Sequence, residues 1–441
     1  MTQAITRRQF VKHATASSTA LLAAVGTRGF PSLARGQSLN GRLRIAAIGC
    51  GNRAGADIAG VAHEDVYAMA DVDTNFLDQA KAKHPRAKTY RDFRVMLEKE
   101  SDHIDAVVVG TPDHTHAPAV AMALRSGKHV YCEKPLTHTV HETRVLMNLA
   151  QKAKVRTQMG TQIHAGENYR QVVELIRAGI IGEVSQVHVW VNVGTSYSDG
   201  SYAKRAPVPS HLDWDLWLGP AMQRPYSVGV HPFTWRKFWD YGNGRLGDFG
   251  CHYLDLVHWA LGLGHPSQVS AQGPAWNPVS PPASLKVNYT YPLPTTGKNV
   301  AVTWYGAHKP RLLAELKDVE GNALDWGSGQ LFVGSSGMIL SNYSRHHVIR
   351  HGQVVKHIER PEKSIPRSIG HHREWTEAIK NGGETTCNFD YAGHLTQAVL
   401  LGSVAYRTGK TLSWDGSAGR ITNVPDSAAL LHKEYRDGWT L

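Results

Sequence analysis

The sequence predicts an α/β chain in which a doubly wound parallel sheet precedes a second α/β domain with a large, mostly antiparallel open sheet. Three observations carry that prediction. A glycine turn, G-C-G-N-R-A at 49–54, joins an apolar run to a helical one. Apolar runs of strand length then alternate with helically spaced segments over about 110 residues, the signature of β-α units that pair in parallel. From about residue 160 the texture shifts to alternating apolar and polar residues, as in strands with one wet face.

Taken in order, the chain opens with TRRQFVK (6–12) and a small-residue apolar stretch, HATASSTALLAAVG. That stretch is shorter than the ~20 residues of a membrane span. Paired arginines before it have the form of a twin-arginine export signal, with a cleavage site near Ser32-Leu33-Ala34. Residues 1–34 are therefore expected to be a signal that engages the twin-arginine export machinery. The mature protein is expected to be periplasmic or secreted, without a stable membrane anchor. RLRIAAIGCGNRA then supplies strand, turn and helix, and opens a nucleotide domain expected over 42–160. VYAMADVD (66–73), DAVVVGTP (105–112) and HVYCEKP read as further strands, with FLDQAKAKH, YRDFRVMLEK and HAPAVAMALRSG as helices between them. RQVVELIRAGIIG and EVSQVHVWVNVG begin a second domain, expected over 161–415, with 416–441 as a tail. Residues 195–247, rich in Gly, Pro, Tyr and Trp, read as long functional loops. The segments SLKVNYTY, NVAVTWYG and GQLFVGSSGMILS alternate as strands, and HHREWTEAIKNG and YAGHLTQAVLLGSVAYRTG close the chain as helices.

Composition narrows the function classes. Of the net charge of +11, four charges (Arg7, Arg8, Lys12, Arg28) lie in the expected signal, which has no acid, leaving +7. That surplus is dispersed, whereas a nucleic-acid partner calls for clustered basic residues, so no nucleic acid is expected. Cys50, Cys132, Cys251 and Cys387 occupy the settings of small buried residues rather than of disulfides.

The glycine turn follows a strand, opens a helix, and has Asp71 about twenty residues on. Gly49 permits the tight turn, Gly51 lets the backbone approach a pyrophosphate, and Ala54 allows close helix packing. The helix N-terminus favours the phosphate charge. Asp71 can accept from both ribose hydroxyls and would repel a 2′-phosphate, so NAD is expected over NADP. Asn52, Arg53, Thr111, Pro112, His116, Glu133 and Lys134 complete the expected cofactor contacts, although Pro112 and Asp113 suit a plain structural turn equally well. In YCEKPLT (131–137) the charges leave a strand at the sheet's carboxyl edge, where Lys134 can hold a substrate hydroxyl and stabilise developing alkoxide charge. Asp248 and His252 are spaced i,i+4 on one helix face, with Asp255 three residues further. A carboxylate and an imidazole there suit removal of a hydroxyl proton; a helix cap and a core histidine are the plain alternative. His252 and His258 fall on divergent faces, and no catalytic metal is expected.

EKP at 133–135 and G-D-x-G-x-H-x-x-D at 247–255 are the most specific marks of a resemblance over about 42–415. The chain is similar to the Gfo/Idh/MocA oxidoreductases. The resemblance implies a Rossmann domain followed by an α/β domain whose open sheet serves oligomerisation, hence a homodimer or homotetramer. It implies hydride transfer to or from a sugar or polyol, with Lys134 on the reacting hydroxyl and His252 as proton acceptor beside Asp248. Asp255, Trp235 and the His371-His372 segment are expected near the substrate. The aromatic residues of 195–247, among them Tyr197, Trp214, Trp217 and Tyr241, can stack on sugars or serve as core; both readings stand. Export of a folded chain further implies NAD held tightly and recycled in each cycle. Sugar-to-sugar oxidoreduction meets that condition, as does glycoside cleavage through transient oxidation of a ring hydroxyl. The related NAD-dependent glycosidases lack the EKP lysine, and Lys134 favours hydride transfer. A non-catalytic sugar binder would be expected to have lost Lys134, Asp248 or His252.

Overall fold

The structure, a computed structural model, describes residues 41–193, 197, 200–202 and 205–441. The expected export signal lies outside the described residues. Among the described residues no helix is long and apolar enough to cross a membrane.

The first sheet contains β1 (Arg44–Ile48), β2 (Asp65–Ala70), β3 (Lys88–Tyr90), β4 (Ala106–Val109), β5 (His129–Glu133) and β6 (Thr157–Gly160) in the order β3-β2-β1-β4-β5-β6. Every pairing is parallel. The all-apolar β4 is buried along its whole length, as a central strand covered on both faces must be. Strand order reverses between β1 and β4, so a crevice opens at their carboxyl ends. Sequence reading missed β3, β6 and the helix Val140–Ala153. β3 and β6 are short, and β3 alternates too little to give a period. The Val140–Ala153 helix does carry a local signal, a capping box between Thr139 and Glu142. The helix expected from His116 begins three residues earlier, at Asp113, and runs to Arg125.

That helix holds Pro118 in its interior. Proline offers no N–H to the carbonyl four residues back, which here belongs to His114. Lys433 from the C-terminal tail fills the vacancy, its Nζ donating to the His114 carbonyl at 3.0 Å and pairing with Glu142 at 3.0 Å. The tail is stitched further by Tyr435 to Glu142 (2.7 Å), Arg436 to Asp215 (2.6 Å) and Trp439 beneath Arg94 (4.2 Å).

The second sheet comprises β7 (Val184–Val191), β8 (Gln268–Gln272), β9 (Leu285–Pro292), β10 (Asn299–Gly306), β11 (Gly329–Gly334), β12 (Gly337–Ser341), β13 (His346–Arg350), β14 (Gln353–Val354), β15 (Leu412–Asp415) and β16 (Arg420–Ile421). Its order is β14-β13-β12-β11-β7-β10-β9-β8-β15-β16, antiparallel except for β7 with β10. Alternation sets the faces: Val287, Tyr289, Tyr291, Val302 and Trp304 point into the main core shared with the helices Gly244–Leu261 and Phe389–Thr408. Lys286, Asn288, Thr303 and Tyr305 lie on the other side, exposed or half-buried. All four cysteines are buried and free.

Candidate functional site

The glycine turn is tight for a visible reason. Gly49 has φ +88°, and a Cβ there would lie 3.1 Å from the Gly110 carbonyl. Gly51 abuts the Phe76 ring, where a Cβ would sit 2.5 Å from ring carbon. The first residue of the helix Asn52–Gly60, Asn52, takes the left-handed region at φ 48°. Asp71 braces the turn by accepting from the Cys50 N–H at 2.7 Å and the Asp73 N–H at 2.9 Å. Burial pushes its carboxyl up to about 6 against those bonds.

One cleft collects Gly49, Gly51, Asn52, Arg53, Asp71, Thr111, Pro112, His116, Glu133, Lys134 and Trp235. The hydroxyl of Thr111 is buried there without a partner among the described residues. These residues fit a dinucleotide with the phosphates at the helix N-terminus. His116 spends its ring on the chain, with Nδ1 2.9 Å from the Pro135 carbonyl and Nε2 2.8 Å from that of Thr111. It ties two strand exits together. Arg53 is committed to Asp57 (2.7 Å) and Glu133 (3.2 Å). Burial raises those carboxyls, to about 6 and about 7.

At the far end of this cleft the Lys134–Pro135 peptide is cis. Lys134 Nζ donates to Asp248 Oδ1 at 2.7 Å and to the Asp248 carbonyl at 2.9 Å. Arg236 Nε donates to the same Oδ1 at 3.1 Å. Burial alone would raise the Asp248 carboxyl, but the two cations hold it down at about 2. Burial likewise opposes the Lys134 ammonium, and Asp248 reverses the effect. His252 makes no hydrogen bond to Asp248 among the described residues; its Nδ1 is buried without a partner. Burial, aided by the Lys134 charge, pushes its pKa down to about 3. The imidazole is thus neutral near pH 7, and as long as it stays enclosed beside the Lys134 charge it is a weak base.

Of the expected substrate contacts Lys134 and Trp235 line the cleft, whereas Asp248 and His252 do not. Asp255 is fully buried and does not line the cleft; it accepts from His164 Nδ1 at 2.9 Å and the Tyr391 hydroxyl at 2.7 Å. With Cys387, His164 and Asp255 have donor atoms within 4.8 Å, an arrangement those hydrogen bonds already explain. His371 faces the Tyr131 hydroxyl at 3.3 Å, while His372 donates to Asp57 at 3.0 Å, bracing the first domain. Most of the 195–247 aromatics form core: Trp214, Trp217, Trp235, Phe238 and Tyr241 cluster with Leu212 and Val230. Sequence reading missed Arg236 and Asp113, both of which line the cleft. Arg236 had a signal, an arginine beside Trp235 in an aromatic loop. Asp113 also had one, its place in TPDHTH at the carboxyl end of a parallel strand, but a structural turn explained it equally well.

The same loop reaches the opposite end of the cleft. His231 Nε2 donates to Asp73 Oδ2 at 2.8 Å, while its Nδ1 accepts from Trp217 Nε1 at 3.0 Å. The Thr74 N–H donates to the His211 carbonyl at 2.9 Å, and the Asp213 N–H donates to the Val72 carbonyl at 3.0 Å.

Comparison with known proteins follows this division. Residues 43–161 match the NAD-binding Rossmann-fold model of the Gfo/Idh/MocA oxidoreductase family, and 165–297 match its C-terminal alpha/beta domain. Together the two cover more than half of the chain. The alpha-N-acetylgalactosaminidase of Shewanella oneidensis is 28% identical over 205 residues, which are 41% of this chain and 44% of that protein. The chain thus spans under half the length of the curated relatives it matches. The WlbA dehydrogenase of Chromobacterium violaceum, solved with NADH and UDP-GlcNAcA, shares the fold at TM-score 0.61 and 16% identity, over 86% of this chain and 98% of that one. The aldose-aldose oxidoreductase of Caulobacter crescentus does so at 0.58 and 18%, over 85% and 100%.

Proposed function

Since the chain belongs to the Gfo/Idh/MocA oxidoreductase family, we propose that it transfers hydride between a sugar or polyol hydroxyl and an NAD cofactor that stays bound. The observation that carries this reading is the 2.7 Å pair that Lys134, on the wall of the nucleotide cleft, makes with Asp248. Nicotinamide, when bound, supplies the hydride acceptor or donor. Lys134 holds the reacting hydroxyl oxygen and stabilises the negative charge that grows on it. Asp248 keeps the ammonium charged and aimed. His252, neutral and with an uncommitted nitrogen, takes the hydroxyl proton. Asp71 at the ribose end favours NAD over NADP.

Retention of the cofactor is supported by the second-domain loop bonded to Asp73 and Thr74 beside the cleft. Retention in turn suits export of a folded chain, as TRRQFVK at 6–12 implies. Glycoside cleavage through transient oxidation is a second reading, favoured by the glycosidase relative. One preparation tests both: mature protein purified without added nucleotide, denatured, and its released dinucleotide measured by mass spectrometry. Near-stoichiometric NAD is expected, and a folded protein without it would overturn retention. Paired sugars and nitrophenyl glycosides offered to the loaded enzyme then separate net oxidoreduction from bond cleavage.

A further inference from the structure

The substrate end of the cleft holds more positive charge than a neutral sugar calls for. Lys134 and Arg236 both bond a single oxygen, Asp248 Oδ1, at 2.7 and 3.1 Å. Of the further carboxyls that line the cleft, Asp113, 3% exposed, is pushed up to about 8 by burial and offsets little near pH 7, and Glu133, pushed up to about 7, is shared with Arg53. Arg236 is also built to receive a ligand. Its guanidinium lies over the Trp235 ring at 4.2 Å and the Phe233 ring at 4.5 Å, and Nη1 donates to the Phe233 carbonyl at 3.1 Å. Those contacts fix the fork before anything binds, which lowers the entropy cost of recognition. Nε and Nη1 are engaged; Nη2 makes no bond among the described residues, and the side chain is 17% exposed on the cleft wall. A planar donor edge beside a stacking surface matches a carboxylate attached to a sugar ring.

We propose that the substrate is an acidic sugar, a hexuronate or its glycoside, whose carboxylate is received by Arg236 while Lys134 holds the reacting hydroxyl. The inference rests on reading the cleft as a sugar site. It is tested by calorimetric binding to the NAD-loaded enzyme, using D-glucuronate and D-galacturonate against D-glucose and D-galactose. Each uronate is expected to bind at least about 10-fold more tightly than its neutral parent, with the gap narrowing as salt is raised. Arg236→Gln should abolish the gap and Arg236→Lys should retain part of it. Equal binding of acid and parent, binding of neither, or an equal loss for both in Arg236→Gln would overturn the proposal; the last would leave Arg236 a positioning residue for Asp248. Uronate binding without reduction of bound NAD would instead sink the hydride-transfer reading and leave the recognition intact.

Discussion

Lys134 is held by a partner that shares its negative charge with Arg236, so removing the lysine leaves Asp248 still paired. Lys134→Met is therefore expected to fold and to keep its nucleotide, while turnover drops by about 10²–10³-fold, the cost of losing a donor to a developing oxyanion. Steady-state rates alongside dinucleotide content check this, and full turnover would remove Lys134 from the mechanism. Lys134 was legible from sequence because EKP is local, bounded by a strand that ends in charge. The pairing of Asp248 with Arg236 was not, because the i,i+4 spacing points to His252 instead. Helical spacing puts Asp248 and His252 on one face but does not say which neighbour each turns to. Asp255 shows the same limit: three residues beyond His252, it rotates into the core and meets His164.

Among the elements, the loop before the Gly244–Leu261 helix crosses between domains and fastens beside the acidic end of β2. Its aromatic content read as either sugar platform or core, and the Trp214–Trp217–Tyr241 cluster shows mainly core. That packing makes the loop stiff enough to aim His231 at Asp73. His231→Ala removes a bond of 2.8 Å and deprives Trp217 Nε1 of its acceptor. The variant is expected to lose bound dinucleotide on gel filtration at least about 10-fold faster than the parent. Unchanged stoichiometry would show that retention depends on other contacts. The alternating strands of the second sheet were readable individually, whereas their order was not, since pairings such as β7 with β10 join segments more than a hundred residues apart.

Over the whole molecule, buried titratable groups pull stability in opposite directions. Burial pushes His114, His252 and His258 down to about 3 and His129, His265, His346 and His372 to about 4. Unfolded, they titrate near about 6.5, so the unfolded chain binds the extra protons and stability falls as pH drops below that value. Burial moves Asp57 and Asp71 up to about 6, Glu133 to about 7 and Asp113 to about 8. These carboxyls release protons on unfolding from about pH 4 upward, so their contribution is lost as pH rises through the folded values. These seven histidines outweigh the four carboxyls on the acid side, and Glu133 and Asp113 act on the alkaline side. The melting temperature is expected to peak near pH ~6.5; a value still climbing toward pH ~8 would contradict the assignment of Glu133 and Asp113.

The Lys433 contact with the His114 carbonyl has a consequence in time. The six strands of the nucleotide sheet are complete at Gly160, but the carbonyl that Pro118 leaves open is met by Lys433, far along the chain. Ribosomes adding about 5–20 residues per second reach Lys433 roughly 15–55 s later. Throughout that interval the nascent nucleotide domain lacks this contact, so the helix is sealed only once Lys433 has been made. A chain stopped short of its tail would hold every glycine of the cofactor turn and still lack the group that seals the helix behind it.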